Sequence, residues 1–436
     1  MKSDRRVPVA IVGAGFSGTM VAAQLARRAI DSILIEFSGR AGFGTAFSTK
    51  DPAHLLNIPA ETMGAWAEDP EDFAEREGIK RGAYAERRRF GCYLHSILDD
   101  AIGSGHSKLV EDRAVSASRD GSEWRIELAG GETIHCEALV LATGNAPPAA
   151  LSAFTGASDR LIDDPWGDEA RKAIDDASAR NLDVLILGTS LTMIDVALSL
   201  DSAGHKGRTV ALSRRGKIPL SNGMDEPAPI EWSEVPKPRV RDIARWLRRR
   251  SAEVGWRPAV DSLRPHSQRL WQSLSLDQKR LFLRRGRPWW DVHRHRIAPE
   301  IALKVDQLIH DGRLEVVAGR VVATRNANGS IEVTIRNRGS ETPRPTQKFG
   351  YVFNCTGPLH AIEETRDPLL RSLLDSREAR PDELGIGFEV DENSRAGERL
   401  WALGSLTKSR YWEIIAVPDI RSQAAVVAND IALELP

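Results

Sequence analysis

The sequence predicts an α/β chain built from two nested Rossmann-like dinucleotide-binding domains with a helical insertion. Three observations carry this. A glycine loop, Gly13-Ala14-Gly15-Phe16-Ser17-Gly18, stands between an apolar strand pattern and a helix pattern. A degraded copy of the same strand–turn–helix plan returns in "NLDVLILGTSLTMIDVALSL", residues 181–200. Each copy is later closed by a strand and a Thr-Gly turn, at Thr143-Gly144 and at Thr356-Gly357. The length, 436 residues, also exceeds the roughly 250–300 at which single cores stop growing.

Val7–Val12 is a short apolar run of the kind buried on both faces of a parallel sheet. After the loop, Thr19–Ala29 is rich in Ala and Leu and predicts a helix, and "DSILIE" predicts a second strand ending on Glu36. Gly13 permits the tight turn, Gly15 lets a pyrophosphate approach the backbone, and Gly18 lets helix and strand pack closely. The helix N-terminus offers free N–H groups and a partial positive charge to phosphate. Glu36 lies near the spacing of about 20 residues at which an acid accepts from a ribose hydroxyl. A merely structural glycine turn is the alternative, and strand, helix, second strand and acid together speak for the nucleotide.

In the second copy Gly188 takes the first glycine position, followed by Thr189, while Ser190 and Met193 stand at the second and third. The following strand, "GRTVALSRRG", ends on Arg214 and Arg215 rather than on an acid. Guanidinium groups there suit the 2′-phosphate of NADPH, since their planar fork matches phosphate oxygens. A solvated basic turn is the alternative. Residues 109–144 and 314–357 each alternate apolar and polar residues around Asp120-Gly121 or Asn328-Gly329, which predicts a β-meander in each. Val235–Glu300 differs, with helical runs rich in arginine and with Trp246, Trp256, Trp271, Trp289 and Trp290 interspersed. Such a mixture suits nucleic acid, but a net charge of −1 gives no support, and a helical insertion with solvated arginines and packed tryptophans is preferred. The expected partition is 1–178 (first domain, first part), 179–234 (second domain, first part), 235–300 (insertion), 301–350 (second domain, return) and 351–436 (first domain, closing part).

Cys92, Cys136 and Cys355 lie far apart and form neither a CxxC pair nor a zinc pattern. His293 and His295, at i and i+2, do not share a helix face, so no metal is expected and structural, hydrogen-bonded histidines are. Arg5-Arg6 precedes a strand pattern rather than a secretory apolar region, and no apolar run is long enough to span a bilayer. A cytoplasmic protein with neither nucleic-acid nor membrane partner is expected.

Seven stretches then occur in order: the first glycine loop, "GRAGFGTAFST" at 39–49, "HLLNIPAETM" at 54–63, "LATG" at 141–144, "LGTSLTMID" at 187–195, "RPWWDVHRHRIAP" at 287–299 and "YWEIIAVPDIR" at 411–421. Together they resemble the FAD/NAD(P)-binding flavoprotein family that includes FAD-dependent urate hydroxylase and aspartate N-hydroxylase, and more remotely the flavin-containing monooxygenases and ornithine N-hydroxylases. The resemblance implies a three-layer ββα flavoprotein fold, FAD on the first loop and NADPH on the second. It implies that His54, Asn57 and Met63 pass beside the isoalloxazine ring, a plain structural loop being the alternative. It places Gly404-Ser405 near the ribityl chain, where relatives carry Gly-Asp, and starts a helix near Pro418 whose dipole faces the flavin. Lys408 and Arg410 fall near the flavin-facing turn, where they would hold an anionic substrate or charged cofactor, or be surface charges.

The implied reaction is a monooxygenation. NADPH reduces FAD, O2 adds to give a flavin C4a-hydroperoxide, and a small polar, nitrogen-containing metabolite is hydroxylated. Arg160 stands where the Baeyer–Villiger fingerprint has histidine, so that subtype is not expected. No catalytic acid or base can be named. Two other classes remain open: an NAD(P)H oxidoreductase without oxygen insertion, whose disulfide form would need paired cysteines, and a nucleotide-sensing binding protein, which Ser190, Met193 and Ser405 keep in play.

Overall fold

The computed structural model describes residues 4–154, 159–358 and 361–435. The chain lays down β1 (Asp4–Val12), β2 (Ser32–Ile35), β3 (Ser107–Val110), β4 (Ala114–Asp120), β5 (Glu123–Leu128) and β6 (Thr133–Leu141). It leaves to build β7 (Leu161–Ile162), β8 (Val184–Leu187), β9 (Thr209–Ser213), β10 (Leu314–Ala327), β11 (Ser330–Asn337), β12 (Gln347–Phe349) and β13 (Tyr351–Asn354). It then returns for β14 (Arg395–Gly397) and β15 (Leu400–Ala402). The first sheet runs β14-β15-β6-β1-β2-β3, with the β4–β5 hairpin joined to β6; the second runs β12-β11-β10-β9-β8-β13-β7.

The same four-strand parallel unit appears twice, as β6-β1-β2-β3 and as β13-β8-β9-β10. Helices cover both faces, so the central strands are apolar throughout: Val9 to Val12 and Val184 to Leu187 are all buried. The helix Phe16–Ala26 packs between the sheet and the C-terminal helix Val417–Glu434, in one core with the helix Arg87–Gly103. Where the chain crosses between the two units, Pro148 and Pro358 run antiparallel to each other.

Several boundaries differ from the expectation. β1 begins at Asp4 because Arg5 and Arg6 are strand residues, ion-paired to Glu132 and Glu123 of the neighbouring meander. The first helix begins at Phe16, directly after Gly15, and stops at Ala26, before the left-handed Ala29. The second sheet also reaches beyond the limits of 179 and 350. β7 pairs with β13, the helix Asp168–Arg180 packs into the second unit's core, and β13 pairs with β8. Part of the stretch compared with the Baeyer–Villiger fingerprint, residues 155–158, lies outside the described residues.

The insertion is helical, with Val240–Val254, Trp256–Ser262, Ser267–Ser273, Leu276–Leu281 and Arg287–Arg294 in sequence. Of its five tryptophans only Trp271 is fully buried, and Trp289 is 53% exposed. Packed tryptophans were the expectation; Trp246, Trp256 and Trp290 are instead only partly buried. Among the described residues no helix is long and apolar enough to cross a membrane.

Candidate active site

The first glycine loop sits where β1 ends, between β2 and β6. Gly13 adopts φ +99°, and a Cβ there would lie 2.3 Å from the Ala142 carbonyl oxygen. A Cβ on Gly18 would lie 1.8 Å from the Gly13 carbonyl oxygen. Both glycines are therefore required by the protein itself. Gly15 is different: its φ of −76° suits any residue, and a Cβ would meet only the Gly44 Cα, at 3.5 Å. The bare backbones of Gly15 and Gly44 thus face each other across a slot that a side chain would fill. No side chain caps the helix that starts at Phe16, so its first-turn N–H groups are available to an anion. These features fit a dinucleotide pyrophosphate.

Glu36, buried at the end of β2, accepts from the Ala14 N–H at 3.1 Å and from the Ser38 N–H at 2.7 Å. Its carboxylate therefore shapes the loop, and its remaining lone pairs are what a ribose hydroxyl would use. The closing segment comes to the same place. Gly404 has φ +61°, its N–H donates to Gln423 Oε1 at 2.9 Å, and a Cβ on it would lie 3.6 Å from Ser17 Oγ. Ser405 Oγ donates to the Gly144 carbonyl at 2.5 Å, so the closing turn and the Thr143-Gly144 turn are joined beside the loop.

The degraded second loop keeps the geometry of the first. Gly188 has φ +110°, and a Cβ would lie 2.0 Å from the Cys355 carbonyl oxygen, just before Thr356-Gly357. Ser190 is extended, as Gly15 is, and Met193 fills the third glycine position as a fully buried core residue. Thr189 Oγ1 is tied to Ser213 and to the Lys217 carbonyl, and Thr356 Oγ1 donates to the buried Asn354 side chain at 2.7 Å. At the end of β9, Arg214 and Arg215 have no ion-pair partner among the described residues. Lys217 stands 3.3 Å above the Trp289 ring, and burial, with Arg215 and Arg338 nearby, holds its ammonium below the usual lysine range. Lys217 and Arg338 thus join Arg215 near the end of β9, two cations that the sequence reading did not name.

A second concentration of chemistry lies where the insertion meets the segment 404–421. The helix Arg287–Arg294 presents Arg287, Trp290, Asp291 and Arg294 along one face, the i, i+3, i+4, i+7 spacing of a helical stripe. Glu413, buried and left-handed at φ +68°, receives Trp290 Nε1 and, at 3.0 Å, Arg294 Nε. Trp271 stacks on Trp412 with ring centroids 4.7 Å apart and donates from Nε1 to the Ser409 carbonyl. Phe282 packs edge-on against Trp412, whose own indole N–H is buried without a partner among the described residues.

Burial shifts the titrating groups here together. It raises the Asp291 carboxyl despite Arg287, raises Asp419 despite Arg264, and lowers the His295 imidazole. It lowers Arg264, with Arg294 adding to the effect, and brings the Lys408 ammonium down to about 8. Such a concentration of desolvated charge is a mark of a functional site. Of these titrating groups the sequence reading named Lys408, as a holder of an anionic substrate or charged cofactor, and His295, as a structural histidine. The others are scattered through the insertion and the C-terminal segment, and nothing in the linear order brings them together.

The other named residues have these partners within the protein. His54 is buried against the helix Leu191–Ser202 of the second unit, its ring nitrogens at 3.0 Å from the Asp195 carbonyl and 2.7 Å from Thr49 Oγ1. The Asn57 carbonyl accepts from Asn222 Nδ2 at 3.0 Å, and Met63 is buried in the first unit's core. His293 is hydrogen-bonded to the Trp289 carbonyl, whereas His295 has no side-chain hydrogen bond among the described residues.

Comparison with known proteins agrees with this fold. Residues 10–146 match a family model described as FAD-NAD(P)-binding. No curated protein sequence matches the chain. Among solved structures, the Kutzneria sp. 744 ornithine N-hydroxylase KtzI, solved with reduced FAD, NADP+ and L-ornithine, is 14% identical with a TM-score of 0.72, over 98% of this chain and 99% of that one. The ornithine hydroxylase PvdA of Pseudomonas aeruginosa, in its reduced form, is 14% identical with a TM-score of 0.69, over 99% and 100%. The bacillithiol disulfide reductase Bdr of Staphylococcus aureus is 14% identical with a TM-score of 0.61, over 99% and 100%. The chain has the two-domain fold of FAD- and NAD(P)-binding flavoproteins, and its first unit is an FAD/NAD(P)-binding domain.

Proposed function

We propose that this chain is an FAD-dependent monooxygenase that takes electrons from NADPH and hydroxylates a small polar, nitrogen-containing metabolite. The observation that carries the reading is the desolvated ionic and aromatic cluster between the insertion and segment 404–421, on the same closing segment that reaches the first glycine loop. A site of this kind excludes water and fixes a polar substrate, which is what such a reaction asks of the protein. The likeness to ornithine hydroxylases supports it; the likeness to a disulfide reductase does not decide against it.

The cysteines favour this reading over a dithiol reductase. Cys92 is exposed, while Cys136 and Cys355 are buried in separate cores. Burial pushes the Cys136 thiol up to about 12 and the Cys355 thiol higher still, so neither forms the thiolate that exchange requires.

Gly15, Gly44, Glu36 and the N-terminus of the helix Phe16–Ala26 would hold the FAD pyrophosphate and ribose, with Gly404 and Ser405 alongside. Arg214 and Arg215, helped by Lys217 and Arg338, would hold the 2′-phosphate and select NADPH. Bound FAD supplies hydride acceptance and the activation of O2. The overall balance is NADPH + H+ + O2 + R–NH2 → NADP+ + H2O + R–NHOH.

The test is to purify the yellow protein and follow NADPH oxidation and O2 consumption against amines, amino acids and purines. We expect a compound that couples the two and is recovered hydroxylated, and hydrogen peroxide in its absence. NADPH oxidation that proceeds only with an added electron acceptor would replace this reading with a plain oxidoreductase. Failure of NADPH and NADH to reduce the flavin, with every compound of the panel present, would leave a nucleotide-sensing protein.

A further inference from the structure

Lys217 follows the end of β9, and its backbone is pinned there. Thr189 Oγ1 of the second glycine loop donates to its carbonyl. Gly216, just before it, turns at φ +58° and donates its N–H to Ser213 Oγ at 3.0 Å. The side chain has no such anchor. The charged groups that act on it, Arg215 and Arg338, both repel it, and none of the three has a carboxylate partner among the described residues. The ammonium is held by Trp289, whose ring centroid lies 3.3 Å away. Attraction of a cation by the negative face of the ring offsets the repulsion. Trp289 belongs to the insertion and not to the second unit. Its helix, Arg287–Arg294, is fixed on two sides. Trp290 and Arg294 are bonded to Glu413, and His293, hydrogen-bonded to the Trp289 carbonyl, packs edge-on against Trp256 at 5.1 Å. Successive helix residues point about 100° apart, so while Trp290 faces the closing segment, Trp289 faces Lys217 and stays half exposed.

We propose that Trp289 is a positioning residue for cofactor selection: its ring holds the Lys217 ammonium beside Arg215 and Arg338, so that the insertion, and not the nucleotide unit alone, sets the preference for NADPH. This rests on the NADPH reading above. Three like charges around a neutral ring suit a dianion such as a 2′-phosphate. Without the ring, repulsion by the two guanidinium groups would turn the flexible lysine stem outward into water. The contact to phosphate would then be lost although every cation remained. NADH carries no 2′-phosphate, so its binding does not depend on where Lys217 points.

The test measures the binding of NADP+ and of NAD+ to the FAD-loaded protein by titration calorimetry, without turnover. Trp289→Leu should weaken NADP+ at least about fivefold, the size of one cation–π contact, and NAD+ less than about twofold. Trp289→Phe, which keeps a ring, should retain most of the NADP+ affinity. In a Lys217→Gln background, Trp289→Leu should cost nothing further, because the ring acts through the ammonium. Unchanged NADP+ affinity in Trp289→Leu, equal losses for NADP+ and NAD+, or a loss that persists in the Lys217→Gln background would overturn the proposal. If Trp289→Leu does not fold, Trp289→Gln, polar at a half-exposed position, is read in its place. A preference for NADP+ that the unmodified protein shows and Trp289→Leu keeps would sink this proposal and leave the NADPH reading standing. Equal affinity of the unmodified protein for NADP+ and NAD+ would sink both. Neither measurement involves O2, so the hydroxylase reading stands or falls separately.

Discussion

Arg87 donates from Nη1 to Asp195 Oδ2 at 2.8 Å, across the boundary between the two nucleotide units, with both side chains largely buried. It is part of a larger polar contact. The His54 ring approaches the Asp195 carbonyl and Ser199 Oγ, each at 3.0 Å, and Ser199 donates to Asp51 Oδ2 at 2.8 Å. The segment 49–57 and the start of the helix Arg87–Gly103 therefore clamp the helix Leu191–Ser202 of the second unit, which fixes how the two units face each other.

Neutralising one partner of this pair leaves the other charge buried and uncompensated. Asp195→Asn should cost about 3 kcal/mol, read as a lower denaturant midpoint with the flavin still bound before unfolding. An unchanged midpoint would show that the clamp contributes nothing.

The glycines of the first loop should fail in different ways. Gly13→Ala and Gly18→Ala place a Cβ inside backbone atoms and should lower the melting temperature steeply. Gly15→Val meets no such obstacle and should fold, yet emerge colourless, because the side chain occupies the pyrophosphate slot. A folded Gly15→Val protein with a full complement of FAD would refute the slot.

Arg214 and Arg215 should set the cofactor preference. Each charge-assisted contact to phosphate is worth roughly 1.5–3 kcal/mol, so the unmodified protein should prefer NADPH over NADH by at least about tenfold. The double Arg→Ala variant should lose that preference through a higher KM for NADPH, with NADH kinetics little changed. Equal use of both cofactors by the unmodified protein would sink the assignment.

Replacing Cys92, Cys136 and Cys355 together by Ser or Ala should leave NADPH-dependent flavin reduction and O2 consumption intact in the folded variant. Loss of flavin reduction, with the melting profile and flavin content preserved, would point to a dithiol route instead.

The repeated strand–turn–helix units and the positions of their glycines are legible in the linear order of residues. Gly18 is demanded by the carbonyl of Gly13 in the same turn, and strand and helix periodicities are written in consecutive residues; Gly13 is legible from its place in the motif, although the carbonyl its Cβ would strike, that of Ala142, is brought alongside only by the fold. The sequence also placed the cationic end of β9, because a strand end is a position a motif can predict. The tertiary structure alone decided which cations are free. Arg410 is reached by Glu392 at 3.6 Å, whereas Arg214 and Arg215 have no ion-pair partner among the described residues. The same holds for His54, whose pairing with Asp195, 141 residues away, nothing in the linear order records. Burial and charge pairing depend on what other segments bring alongside, over sequence distances that no local pattern records.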